Sequence, residues 1–357
     1  MLNLAVLPSD SRTMGHRSAR VAAFGLAVLL VAPVLVRGGV AKAGVGYQVS
    51  AWTYTGAYTT SLPSAVSAGA IDEVQGDWWS SRADGSLDSW SPPGLVSLAH
   101  TSGLRILATV TNYDSGFDPS IPDAILSDAS KTDQQVNAIV DACVSQGYDG
   151  VDLDWENMWA RERGPFSAFV QQLASALHAQ GKILGIAVEA KTSEPGDWAS
   201  QKAQDWAALG AAVDEFQIMT YDAHGGWSKP GPVAPPSWMD SVVSFAETEV
   251  PASKVWMGVP FYGYDWSGNG ARNVTWRSAQ ALLERYGSTI ARTASGEARF
   301  RYHVGGVRHI VYFQDAVAIS DKLQVVLVDH PAIAGIAIWS MGGEDPAFWT
   351  LISSQLK

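Results

Sequence analysis

Between residues 149 and 156 the chain reads Asp149-Gly150-Val151-Asp152-Leu153-Asp154-Trp155-Glu156. Successive side chains of a β-strand point to opposite faces, so Asp152, Asp154 and Glu156 share one face and Val151, Leu153 and Trp155 the other. The apolar set suits packing against helices, which turns the three acids inward. Stacking three carboxylates on a buried face is costly unless they share protons or bind a cation. A solvated acidic edge strand would escape that cost, but the alternate residues and the flanking strands read as buried. Two chemistries fit. Like charges a few ångströms apart cannot all ionise, so the outermost carboxyl, Glu156, would keep a proton at neutral pH and act as a general acid, with Asp154 sharing a proton beneath it. Alternatively, the stack would hold a hard divalent cation such as Mg²⁺. The spacing alone leaves both open.

Such a stack needs a scaffold. Short apolar or β-branched runs recur at Gln48–Tyr54, Ile71–Trp78, Arg105–Asn112, Gly150–Trp155, Ile183–Ala190, Glu215–Tyr221, Val255–Phe261 and Ile333–Trp339. Segments of helical period lie between most of them, among them Thr132–Ser145, Pro165–Gln180 and Ser200–Leu209. Strands alternating with helices predict a parallel sheet, and eight of them predict an α/β fold closed as a (β/α)8 TIM barrel. The stretch between the seventh and eighth strands is too long for one crossover. It holds a helical patch at Ser278–Tyr286 and two strand-like runs, Arg299–Val304 and His309–Phe313, joined through Gly305-Gly306. That pattern predicts a small α+β insertion over residues 267–331 on the catalytic rim.

The 357 residues are 47% hydrophobic and 17% charged, enough apolar content for a buried core. The formal net charge of −11 argues against nucleic acid as a partner, because phosphate binding needs concentrated positive charge. A single cysteine, Cys143, excludes an intrachain disulfide and a CxxC-type metal site, and reads as a small buried hydrophobe. None of the seven histidines stands in an HExxH or similar spacing, so neither a metal nor another cofactor is expected. Arg12, Arg17 and Arg20 precede an uncharged apolar run from Val21 to Val36, followed by Ala41-Lys42-Ala43. Residues 1–43 therefore read as a secretory signal peptide and 44–357 as the folded domain. The apolar run falls short of the ~20 residues of a spanning helix, and Pro33 interrupts it, so no stable membrane insertion is expected after cleavage. The protein is expected to be exported or cell-wall associated, bacterial and monomeric.

The carboxylate strand also carries a resemblance. Asp149, Asp152, Asp154 and Glu156 resemble the DxxDxDxE signature of glycoside hydrolase family 18, the chitinase family, a substrate-assisted exception to two-carboxylate glycoside hydrolysis. Gln217–Asp222 and Gly258–Gly263 resemble the family's sixth and seventh strand motifs, and Ile336–Trp339 its last strand. Met219–His224, the Gly/Pro-rich Gly225–Pro236 and Tyr262–Trp266 resemble most its bacterial spore-cortex and cell-wall N-acetylglucosaminidase branch. The resemblance implies retaining hydrolysis of a β-1,4 bond beside N-acetylglucosamine in chitin-type or peptidoglycan glycan. Glu156 would protonate the leaving oxygen while the substrate's 2-acetamido carbonyl attacks the anomeric carbon. Asp154 would orient the acetamido nitrogen, Asp152 would hold Asp154's protonation state, and Tyr221 would donate to the acetamido oxygen. Trp339 would floor the reacting subsite, and Asp222 and Met219 would line it.

Asn112, polar at the end of an apolar strand, is expected to face the site, with a loop-capping role as the alternative. Trp78, Trp79, Trp227 and Trp266 are expected on rim loops as sugar-stacking candidates. Glu189 is expected to face the cavity, with no assigned role. Two other functions compete with hydrolysis by family 18 chemistry. A non-catalytic glycan-binding lectin on the same barrel would ordinarily lack the acid, whereas Glu156, Asp154 and Tyr221 are all present. A metal-dependent barrel hydrolase would leave Tyr221-Asp222 and Trp339 unexplained.

Overall fold

Polar side chains share the inside of the barrel with a small cluster of Trp52, Ala187, Trp256 and Ala337, and the main apolar core lies between the barrel and its helices. The structure is a computed structural model and describes residues 46–357 apart from Thr55 and Asn269; the expected leader, residues 1–43, lies outside them. The strands in chain order are β1 (Gln48–Thr53), β2 (Glu73–Ser81), β3 (Leu87–Asp88), β4 (Arg105–Thr111), β5 (Gly150–Asp154), β6 (Ile183–Glu189), β7 (Glu215–Met219), β8 (Val255–Pro260), β9 (Tyr262–Ser267), β10 (Gly270–Thr275), β11 (Ala291–Arg292), β12 (Ala298–Val304), β13 (Val307–Phe313) and β14 (Gly335–Trp339). Eight of them, β1, β2, β4, β5, β6, β7, β8 and β14, pair in parallel, and β1 closes the ring by pairing with both β2 and β14. This is the expected (β/α)8 barrel. Among the described residues no helix is long and apolar enough to cross a membrane.

Alternation along β5 sets the two environments. Val151, Leu153 and Trp155 are buried against the helix Arg163–His178, where Trp155 stacks on Phe169 with ring centroids 4.8 Å apart. The opposite face enters a hydrogen-bonded interior. There the Gln75 amide donates to Ser50 Oγ at 2.9 Å and to Gln217 Oε1 at 2.8 Å. Gly185 leaves the space this layer needs, since a Cβ there would meet Gln217 Nε2 at 3.2 Å and Asp152 Oδ1 at 3.3 Å.

The helix expected over Ser200–Leu209 is two helices, Ala199–Ala203 and Trp206–Ala212. Asp205 starts the second by accepting from Ala208 N, and the Lys191 ammonium takes the Gln204 carbonyl at 2.5 Å, so the backbone turns at the cap. The insertion is also larger than its sequence signals. Its five-stranded sheet, ordered β10-β9-β13-β12-β11, begins at Tyr262, five residues ahead of the expected boundary. Gly305 and Gly306 form the β12–β13 hairpin turn with φ of 54° and 81°, the backbone a two-residue primed turn requires.

One buried ion pair fastens the insertion to the barrel's loops. Glu297, just before β12, accepts from Val233 N and Ala234 N at 2.8 Å each and from the Lys322 ammonium at 3.1 Å, with both charged side chains fully buried. Glu297→Ala leaves a buried ammonium unpaired and is expected to lower the unfolding free energy by about 3–5 kcal/mol. Chemical denaturation measures this, and Glu297→Gln combined with Lys322→Met should recover part of the loss.

Candidate active site

Asp152 lies at the bottom of the site, fully buried. Its Oδ2 accepts from the Trp52 indole at 3.2 Å and Thr109 Oγ1 at 3.4 Å, while Oδ1 has no hydrogen-bond partner. Burial is the main cause that lifts its carboxyl to about 7. Asp154, at the C-terminal end of β5, is buried with its Oδ1 also unpartnered. Burial, followed by the charges of Glu156 and Asp152, pushes its carboxyl well above the usual range. Glu156 sits two residues beyond the strand. Burial and the neighbouring Glu189, Asp222 and Asp77 carboxyls push it up to about 8. The outermost acid of the stack is thus proton-bearing at neutral pH. Asp149 stands apart at the start of β5, where it accepts from Ile106 N at 2.9 Å and bonds His100 at 3.0 Å.

The other expected residues arrive from the ends of β7, β8 and β14. Tyr221 is buried, and Asp154, Glu156 and Asp222 lie close enough to raise its hydroxyl pKa further after burial. Gly258 admits that ring, for a Cβ there would meet Tyr221 Cε1 at 3.0 Å and Ile218 O at 2.4 Å. Asp222 holds a left-handed backbone, φ 63°, and its Oδ1 accepts from the hydroxyls of Tyr262 at 2.5 Å and Tyr264 at 3.0 Å. That conformation is rare outside glycine and is fixed here by two tyrosines of the insertion sheet's strand β9. Met219 ends β7 half-buried. Trp339 ends β14 half-buried and packs edge-on to Trp52, with centroids 5.9 Å apart.

Four expected positions are corrected. Asn112 does not line the site: it is fully buried, its Oδ1 accepts from Glu156 N and its Nδ2 donates to the Glu156 carbonyl, both at 2.9 Å. It clamps the backbone of Glu156, the loop-capping alternative. Trp78 points to the helix side, because Asp77 takes the inward place, and its indole donates to Tyr148 Oη at 3.0 Å. A bulge between Asp77 and Trp79 leaves Trp79 outside the barrel too, buried and bonded to Ser91. Trp266 is buried in the insertion wall, with its indole on the Gly225 carbonyl at 3.0 Å. Trp227, by contrast, is exposed.

Two residues gain a place. Glu189 raises both Glu156 and Asp154, and its Oε2 accepts from the Trp198 indole at 2.9 Å. Asp77 was missed in the sequence; burial lifts it to about 6, and its charge reaches Asp152, Asp154 and Glu156. The signal was present in Glu73-x-Gln75-x-Asp77, a second polar alternation facing inward. Among the described residues no three His, Cys, Asp or Glu side chains are arranged to hold a metal ion.

Comparison with known proteins gives a consistent relationship. Residues 95–344 match the profile of Glycosyl hydrolases family 18. YdhD of Bacillus subtilis (strain 168) is 36% identical over 254 residues, and the match covers 69% of this chain and 60% of that protein. The cortical fragment-lytic enzyme of the same organism is 28% identical over 280 residues, covering 75% of this chain and 64% of that protein. The chain thus spans less than two thirds of either relative. The crystal structure of a chitinase from Chromobacterium violaceum ATCC 12472 superposes with a TM-score of 0.78 at 29% identity, over 87% of this chain and 99% of that one.

The crowded carboxyls leave a signature in stability. Asp77, Asp152 and Glu156 hold their protons more tightly in the fold, to about 6, 7 and 8, than in an unfolded chain. Their contribution is complete below pH ~4 and is lost as pH rises through those folded values. Tm is therefore expected to fall between pH 5 and pH 9, and Glu156→Gln, which removes one ionisable member, should flatten that slope in a thermal-melt series.

Proposed function

The chain belongs to glycosyl hydrolase family 18, and on that premise we propose that it hydrolyses β-1,4 bonds beside N-acetylglucosamine, with retention, through the substrate's own 2-acetamido group. One observation carries this reading. Glu156 keeps its proton up to about pH 8 beside a buried Asp154 whose Oδ1 is uncommitted to any protein donor.

The steps follow from those two groups. Glu156 gives its proton to the glycosidic oxygen as the bond from that oxygen to the anomeric carbon breaks. The acetamido carbonyl oxygen forms the new bond to the anomeric carbon from the opposite side. Asp154 accepts the acetamido N–H, and the Tyr221 hydroxyl donates to the acetamido oxygen, holding it in line for attack. Water then adds to the anomeric carbon of the oxazolinium as the bond from that carbon to the acetamido oxygen breaks, and gives a proton to Glu156, so two inversions leave the configuration retained. Burial chiefly keeps Glu156 protonated before the reaction, and the charge of Glu189, held by Trp198, adds to it. Trp339 floors the reacting sugar, Asp222 and Met219 line its subsite, and Asn112 holds the backbone that aims Glu156.

The likeness to a cortical fragment-lytic enzyme supports a wall-type glycan as substrate. The reading of residues 1–43 as a secretory leader is consistent with work outside the cytoplasm.

Fluorogenic N-acetylglucosamine di- and trisaccharides test the proposal. Turnover should be unaffected by EDTA and fall about 10³-fold in Glu156→Gln. Tyr221→Phe should cost about 10²-fold, the loss of one donor to the developing charge. Because the protonated acid is the active form, kcat/KM should decline as pH rises through about 8. Undiminished turnover by Glu156→Gln would overturn the assignment.

A further inference from the structure

Charge is distributed unevenly over this acidic chain. Residues 262–313 contain seven arginines against three carboxylates, within a protein of net charge −11. Pairing divides the same way. Outside the insertion, every described arginine meets a carboxylate: Arg82, Arg105, Arg161 and Arg163 all form ion pairs. Within it, Arg272 and Arg292 are paired; Arg277 and Arg285 on the helix have no ion pair among the described residues, and neither do Arg299, Arg301 and Arg308 on the sheet.

Sheet register places those three together. Arg299 and Arg301 alternate with the buried Ala298, Phe300 and Tyr302 on β12, so they point away from the helix Trp276–Tyr286. Across the ladder Arg299 pairs with Tyr312, Arg301 with Ile310, and His303 with Arg308, all on one face. The next strand continues that face with Tyr264 beside Tyr312 and Trp266 beside Ile310. It is therefore the face whose Tyr262 and Tyr264 hydroxyls hold Asp222 at the candidate site. Two strand steps, about 10 Å, separate the row of Tyr264 from Arg299. No carboxylate interrupts the path, because Asp265, the only acid on these strands, faces the other way into Arg272, Tyr302 and His309. The Arg299 guanidinium lies 5.9 Å from the centre of the Tyr312 ring, while Arg301 and Arg308 are exposed. Beside β12 a cavity of about 530 Å³ opens between residues 286–291 and Arg299–His303, a volume that suits a branch on a polymer.

We propose that Arg299, Arg301 and Arg308 form a subsite for carboxylates carried by the glycan, so that the enzyme selects a peptidoglycan-type N-acetylglucosamine polymer over neutral chitin. This deepens the glycosidase reading and rests on it. Planar guanidiniums bind carboxylates through two parallel hydrogen bonds, which neutral sugar hydroxyls cannot match. The shared sheet face places the recognised acid on a sugar beyond the reacting subsite, on the side of β12. Three unpaired guanidiniums on one sheet face of an acidic protein also attract an anionic chain at low salt.

The test compares a tetrasaccharide of alternating N-acetylglucosamine and N-acetylmuramic acid with the same molecule amidated at its carboxyls, and with chitotetraose. Binding is measured by calorimetry on Glu156→Gln, with and without Arg299→Gln, Arg301→Gln and Arg308→Gln together. Turnover is measured on the wild type and on the triple arginine variant. The free acid should bind at least tenfold tighter than its amide, and the triple variant should erase that preference while leaving chitotetraose binding within twofold. High salt should shrink the preference. Equal affinity for acid and amide, or a preference that survives in the triple variant, overturns the subsite. Discriminating binding without hydrolysis of any substrate keeps the subsite and removes the glycosidase reading; indiscriminate hydrolysis does the reverse.

Discussion

Carboxyl groups gathered out of water cannot all be charged, and the centre of this barrel is organised around that limit. Asp77, Asp152, Asp154 and Glu156 lie within one another's electrostatic reach, and Glu189 adds its charge from β6. Desolvation heads the causes at each raised member, with mutual repulsion behind it. The result is a gradient in which the outermost acid, Glu156, retains its proton while the group deepest in the barrel, Asp152, is tied to Trp52 and Thr109. A proton donor at neutral pH arises from burial together with crowding, and needs no dedicated basic partner.

Keeping so many acids inside requires an unusual interior. Gln75, Ser50 and Gln217 form a hydrogen-bonded layer where a barrel would ordinarily hold branched apolar side chains. Glycines at 185 and 258 provide room for Asp152 and Tyr221. At the N-terminal mouth, Arg105 pairs with Glu73 at 3.0 Å and Glu215 at 2.7 Å, placing a cation where two more buried acids meet. Cohesion therefore comes mainly from the outer layer, where Val151, Leu153 and Trp155 meet Phe166 and Phe169. The inner layer is free to serve chemistry at some cost in stability.

The insertion is tied to this centre by two separate contacts. Tyr262 and Tyr264 reach Asp222 from one face of its sheet, and Glu297 with Lys322 anchors its far side to the loop holding Val233 and Ala234. A sheet fixed at both ends can present side chains to a long substrate at a defined spacing. The unpaired arginines stand on the same face of the sheet as those tyrosines, beyond the buried Trp266 and Tyr312.

Local pattern carried much of this in the sequence. The period-two alternation of Asp152, Asp154 and Glu156 against Val151, Leu153 and Trp155 determines which side chains face inward, because strand geometry leaves no other arrangement. Alternating strand and helix segments determined the eight-stranded barrel in the same way, and the paired glycines at 305 and 306 determined a hairpin. Contacts between distant segments were not written there. Asn112 reads as a site-facing amide until Glu156, 44 residues away, occupies both its hydrogen-bonding groups. Trp78 and Trp266 read as rim aromatics until the Tyr148 hydroxyl and the Gly225 carbonyl claim their indoles. Asp77 joins the acids only because β2 lies beside β4, and β4 beside β5, in the closed ring. Single-strand periodicity reports which way a side chain points; what it meets there depends on the neighbours that barrel closure brings, and only the tertiary structure decides those.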